Sequence, residues 1–171
     1  DVAFVCSRAY VEGKRDFDME LLVVPQVYGQ TVYYSYLIVP LDSNAKSLED
    51  LRGKIFAFSD PMSNSGKLVP EYMLWKTGET PESFFKKYIY TYSHDNSIKA
   101  VAEKLVDGAA VDSLVYEYAL AQGFEYVTRT RIIWKSPPYG VPPVVVNSHL
   151  NLELKAQLKD AFAVDASRLE L

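Results

Sequence analysis

The sequence predicts an α/β protein built on a sheet of the parallel kind. Two observations carry that prediction. Apolar periodicity switches repeatedly between strand and helix spacing along the chain, and three strand–turn–helix units succeed one another between Lys54 and Gln122. Strands alternating with helices of this length are the signature of βαβ units. Chain length and composition are compatible with it: 171 residues at 49% hydrophobic can bury a core as one or two small domains, and 23% charged residues is ordinary for a globular chain.

In chain order, Asp1 to Cys6 is a short apolar run without helical spacing and reads as a buried strand. Met19 to Val27 and Thr31 to Pro40 are β-rich, separated by a turn at Tyr28-Gly29-Gln30. Ser47 opens a short helix with Asp50 in capping-box position, Leu48 and Leu51 facing inward, and Gly53 as the stop. The three units come next. Lys54 to Ser59 is a strand before a helix over 65–76. Tyr88 to Tyr92 is a strand before a helix over 96–106, whose Ile98, Val101, Ala102 and Leu105 fall on one face. Gly108 to Val111 is a strand before a helix reaching Gln122. Arg131 to Trp134 and Val144 to Val146 are further strands, flanking the proline-rich loop or hinge Ser136 to Pro143. A last helix starts at about Asn151, with Leu154, Leu158, Ala161 and Phe162 on its buried side.

Several function classes are disfavoured by composition. The net charge is -4, without the clustered basic face of a nucleic-acid binder. A bound anion therefore needs local donors rather than global attraction. The single cysteine, Cys6, forms no intramolecular disulfide and no CxxC motif, and its apolar neighbours suggest a buried small side chain. Metal and cofactor motifs are missing: there is no P-loop, GxGxxG or HExxH. No apolar run approaches the roughly 20 residues that span a bilayer.

In a parallel α/β sheet, strand carboxyl ends and helix amino ends share one edge, where ligands bind. Helix amino ends carry unpaired N–H groups and about half a positive charge, which suits anions. Three junctions fall on that edge. The first is Asp60 to Gly66, in which Ser63, Asn64 and Ser65 offer small polar donors and Gly66 permits close backbone approach. One such residue suffices for a cap, and here there are three. The second is Ser93-His94-Asp95, a histidine flanked by hydroxyls. Ser63 or Ser65 as a nucleophile for His94 would lack a GxSxG elbow and an orienting acid. At the third junction stands Asp112, which is a helix cap or an acceptor for a ligand that carries a proton; a singly protonated phosphorus oxyanion qualifies and sulfate does not. His149, before the last helix, reads as a solvated cap-region residue. The Tyr33-Tyr34-Ser35-Tyr36 cluster reads as a strand whose aromatic face either lines a site, with Tyr34 the candidate, or packs in the core.

From Tyr33 to Asp112 the chain resembles the phosphonate-type substrate-binding proteins of ABC importers. The matching segments, in order, are YSYLIVPLDS, KSLEDLRGK, FAFSDPMSNSGKLVPEYML, YTYSHDNSIKAVAEKLVDGAAVDS and, further on, RIIWKSP. The resemblance implies a type II periplasmic-binding-protein fold: two α/β lobes with parallel-type sheets joined by a hinge and the ligand between them. It makes 36–136 the second lobe, and 1–35 with 137–171 part of an incomplete first lobe, since family members have a longer N-terminal part. It makes Ser63, Asn64 and Ser65 the anion-binding triplet, where the middle residue is commonly Thr. His94 becomes the binding histidine and Asp112 falls near the next polar contact; Ser93 and Tyr34 join the candidate ligand-binding residues from the reading of the junctions and the tyrosine cluster. The returning loop Pro137 to Pro143 lacks the acid that aminophosphonate binders carry.

The function implied is capture of a small phosphonate, phosphite or phosphate for an ABC permease, without catalysis, cofactor or metal. The resemblance places the protein in the periplasm or outside the cytoplasm, as a monomer attached to membrane only through its partner or a lipid anchor. The competing class is an extracytoplasmic ligand-sensing domain of a histidine kinase.

Overall fold

A computed structural model describes residues 2–27 and 29–163. Asp1, Tyr28 in the expected turn, and 164–171 of the expected first lobe lie outside the described residues. In chain order the elements are β1 (Val2–Phe4), α1 (Ser7–Asp16), β2 (Met19–Val23), β3 (Val32–Tyr33), β4 (Ser35–Pro40), a 3-10 turn (Glu49–Leu51) and β5 (Ile55–Phe58). A π-helical turn (Asn64–Leu68) runs into α2 (Val69–Trp75), followed by α3 (Pro81–Phe84), β6 (Lys87–Tyr90) and α4 (His94–Ala102). Then come β7 (Gly108–Asp112), α5 (Ser113–Ala121), α6 (Glu125–Thr128), β8 (Thr130–Lys135), β9 (Tyr139–Gly140), β10 (Val144–Asn147) and α7 (Leu152–Phe162). The chain divides into two compact units, Val32–Tyr139 and a second formed by Asp1–Thr31 with Gly140–Leu171.

The first of these is a five-stranded sheet of order β6-β5-β7-β4-β8. Its β5 runs parallel to β6 and to β7, as the strand–helix alternation predicts. The sheet is mixed beyond that, because β4 pairs antiparallel with β7 and β8. β4 enters from the flanking segment rather than through a helical crossover, so no βαβ rule fixes its direction. Every residue of β4 is buried, and alternation divides its side chains between two cores. Tyr36 and Ile38 pack with Ile98, Val101, Ala109 and Val111, while Leu37 and Val39 pack with Phe56, Phe58, Leu74 and Phe85.

Several helix boundaries differ from the sequence expectation for identifiable reasons. The expected helix over 65–76 starts as a π-helical turn, in which Leu68 N–H donates to Ser63 O at 3.1 Å. Pro70 has no N–H for the Gly66 carbonyl, and Ser59 N–H at 3.3 Å takes that acceptor instead. The expected stripe over 96–106 stops short: α4 ends at Ala102 and Lys104 turns left-handed at φ 57°. Lys104 N–H to Val101 O and Leu105 N–H to Ala100 O complete a Schellman close. Leu105 is thereby turned into solvent at 65% exposure rather than onto the apolar face. Leu51 is buried and Leu48 packs against the core as expected, although their helix is only the 3-10 turn.

The second unit holds an antiparallel sheet of order β1-β10-β2 with α1 and α7. Its core consists of Leu22, Val144 and Val146, with Leu150 and Leu158 against it. Leu154 and Phe162, expected on the buried side of α7, are 42% and 37% exposed. The buried residue of α7 is Lys155, whose ammonium reaches Glu20 at 2.6 Å and Ser148 O at 2.8 Å. Its aliphatic stem covers apolar surface while the charge finds partners. Cys6, expected to be buried, is only partly so and sits at the amino end of α1.

Candidate oxyanion site

The parallel strands β5 and β7 end on one edge of the sheet, and each of them leads into a helix start there. After β5 comes Ser63, the cap of the π-helical turn, whose Oγ accepts from Gly66 N–H at 2.9 Å. After β6 comes Ser93, the cap of α4, whose Oγ accepts from Asn96 N–H at 3.4 Å. After β7 comes Asp112, the cap of α5, whose Oδ1 accepts from Leu114 N–H at 2.7 Å. Each first turn leaves N–H groups without intrahelical acceptors, so the edge presents three positive helix ends.

His94 ties these junctions together. Its Nδ1 accepts the Asp112 backbone N–H at 3.0 Å. An accepting Nδ1 in a neutral ring places the proton on Nε2, and Nε2 lies 3.5 Å from Ser63 Oγ. The imidazole is thus oriented as a donor toward the serine turn. Burial drives its pKa down to about 4, partly offset by the Asp60 carboxylate, so the ring is neutral across the physiological range. Burial likewise pushes Asp112 up to about 6. The Leu114 and Val115 backbone donors oppose that rise and the Glu117 charge adds to it.

The two shifts act on stability in opposite directions. Asp112 binds its proton more tightly folded than unfolded. Its stabilising contribution is present below the ordinary 3.8 and is lost as pH rises through about 6. His94 binds its proton less tightly folded; its contribution is present above 6.5 and lost as pH falls through about 4. At about 1.4 kcal/mol per pKa unit each is worth about 3 kcal/mol.

The serine turn is pinned from below. Ser35 Oγ donates to Ser65 O at 2.6 Å, and Asn64 Nδ2 donates to Tyr33 OH at 3.0 Å. Gly66 is required by space: a Cβ there would stand 1.8 Å from Ser59 Oγ and 3.0 Å from His94 Cε1. Next to it, Lys67 is buried with its ammonium paired to Glu71 and 4.5 Å above the Phe58 ring. Its charge is committed there.

Ser63, Asn64, Ser65, His94 and Asp112 are therefore brought together; Ser93 caps α4 at the junction beside them, as Ser63 and Asp112 cap their own helices, and Tyr34 stands apart. Strand alternation puts Tyr33 and Ser35 on the serine-turn face and Tyr34 on the other. There Tyr34 packs against the helical core, with Lys135 3.5 Å above its ring. Tyr33 and Ser35 are the residues of the cluster that reach the serine turn instead. Tyr92, just before Ser93, is left-handed at φ 58°, and nothing in its sequence context signalled that. His149 is exposed and belongs to the other unit.

Fold and site together define an α/β binding unit with a neutral, donor-rich turn at the carboxyl edge of its sheet. Residues 1–167 match the family "ABC transporter, phosphonate, periplasmic substrate-binding protein". The phosphonates-binding periplasmic protein of Escherichia coli (strain K12) is 33% identical over 148 residues, 80% of this chain and 44% of that protein. The probable ABC transporter phosphite binding protein PhnD1 of Prochlorococcus marinus (strain MIT 9301) is 33% identical over 98 residues, 57% of this chain and 33% of that protein. A binding protein component of an ABC phosphonate transporter from Pseudomonas aeruginosa, known from its crystal structure, is 32% identical with a TM-score of 0.85. The match covers 95% of this chain and 55% of that one. The chain belongs to the phosphonate-type periplasmic substrate-binding proteins of ABC transporters, with their type II periplasmic-binding-protein fold. It spans about half the length, or less, of the relatives it matches.

Proposed function

We propose that this chain is the ligand-capturing part of an ABC importer's solute-binding protein and takes a small phosphorus oxyanion at the serine turn. The observation that carries this reading is the clamped, neutral His94, whose Nε2 proton points at Ser63 within a turn of small polar residues. Ser63, Asn64, Ser65 and His94 act as donors to the anion. Asp112, buried beside them, accepts the proton of a hydrogen phosphonate, phosphite or phosphate and repels an anion without one. The names of the relatives support this ligand class. No catalysis is involved: the protein binds, delivers to the permease as a monomer, and meets the membrane only through that partner or a lipid anchor. In this reading 36–136 form the second lobe, and 1–35 with 137–171 contribute to the first.

The test is calorimetric titration of the full-length protein with phosphate, phosphite, methylphosphonate, 2-aminoethylphosphonate and sulfate. One phosphorus oxyanion should bind and sulfate should not. Ser63→Ala and His94→Ala should each weaken binding by roughly 10- to 100-fold, the value of one hydrogen bond to a charged group. Equal binding of sulfate would refute the role of Asp112, and no binding by any of the five would refute the reading as a whole.

A further inference from the structure

The residue that neither the cap pattern nor the family resemblance singles out is Ser59, the last residue before the serine turn. It is 1% exposed, and among the described residues its hydroxyl is the one buried side-chain oxygen or nitrogen without a hydrogen-bond partner. An alanine there would fill nearly the same space and would leave nothing unsatisfied, so an unpartnered hydroxyl is a net cost in this state. Its position is specific. Ser59 Oγ lies 1.8 Å from the position a Cβ on Gly66 would take, and His94 Cε1 lies 3.0 Å from the same point. Its backbone N–H holds the Gly66 carbonyl. The hydroxyl is therefore lodged between the glycine that caps onto Ser63 and the histidine that faces Ser63.

We infer that Ser59 is a further binding residue of this site, a hydroxyl held dry beneath the turn that gains its acceptor when an oxyanion is bound. An oxyanion bound beside Gly66 and His94 offers the Ser59 hydroxyl the acceptor that it lacks. The inference rests on the oxyanion reading above.

The experiment compares wild type with Ser59→Ala in the full-length protein, measuring ligand-free thermal stability and affinity for phosphate, phosphite and methylphosphonate by calorimetry. The expected result is an unchanged or raised ligand-free Tm together with an affinity about tenfold weaker or more. Affinity within twofold of wild type overturns the inference, and so does a ligand-free Tm lowered by several degrees, which would make the hydroxyl a structural group. Failure of wild type itself to bind any of the three anions would instead sink the oxyanion reading, and this inference with it.

Discussion

Substituting Gly66 by alanine tests the packing that shapes the site, and the sign of the effect is itself informative. Gly66 has an ordinary negative φ, since it is absent from the glycines with positive φ. On backbone grounds alone, alanine in a helical first turn should stabilise by about 0.5–1 kcal/mol. The surroundings dictate the opposite. The new methyl would lie 1.8 Å from Ser59 Oγ, 2.7 Å from Ser59 Cβ and 3.0 Å from His94 Cε1. Rotating the Ser59 side chain removes the first contact but not the second, because that Cβ is fixed to the end of β5 and its N–H holds Gly66 O. Restoring an ordinary carbon–carbon separation of roughly 3.5–4.0 Å requires the turn to shift by about 1 Å. Overpacking of this kind costs about 1–3 kcal/mol.

In urea denaturation, Gly66→Ala should therefore be destabilised by that amount. At roughly 2–4 °C per kcal/mol for a chain of this size, its Tm should drop by several degrees. Adding Ser59→Gly removes both the hydroxyl and the Cβ, leaving only the His94 contact, so the double variant should recover most of the loss. The double-mutant cycle should show a coupling of about 1–2 kcal/mol. Stability equal to or above wild type in Gly66→Ala, or additive effects in the cycle, would refute the close contact of this turn with Ser59.

Two further predictions use the same stability assay. Between pH 6.5 and 4, His94 and Asp112 oppose each other, so Asp112→Asn should lose about 3 kcal/mol on acidification while His94→Gln should gain about as much; equal slopes in both variants would refute the shifts argued for these groups. Lys67→Ala removes an ammonium held over Phe58 and leaves Glu71 unpaired, and should cost about 2 kcal/mol. Lys67→Met should recover part of that by restoring the stem, and an alanine variant as stable as wild type would refute the contribution of the Phe58 and Glu71 contacts.

How much the sequence makes legible depends on how local the cause is. Ser63 and Asp112 are helix caps, set by residues within three positions, and both appear where short-range chemistry places them. The parallel core β5–β6–β7 is equally readable, because crossover helices fix strand direction. The direction of β4 is set only by its pairing across the sheet, and the strand itself carries no mark of it. The choice between Tyr33 and Tyr34 depends on which face the strand turns inward, and a wholly buried strand lacks the polar–apolar alternation that would reveal it. The buried residue of helix α1 is Gly13, where a Cβ would fall 2.5 Å from Met19 Cε. A glycine at the docking point carries no side chain to mark it in the sequence.

The charge inventory of the site bears on how a binding protein with a net charge of -4 can hold an anion at all. The histidine is neutral, and the nearest buried lysine has its charge spent on Glu71 and an aromatic face. On the proposed reading, attraction comes from fixed dipoles: the serine-turn hydroxyls, the Nε2 proton of His94 and three helix amino ends. Dipoles of this kind are fixed by backbone and packing, so they gain little from long-range steering and lose little to screening, in contrast to a basic patch. They also leave selectivity to the buried acid. A cation would pull in any anion of the right size; a neutral donor set beside Asp112 favours the anion that brings its own proton. Affinity should therefore change little between low and moderate salt and should weaken as pH rises far enough to strip that proton from the ligand, and a steep salt dependence would point to a cationic contact outside this site.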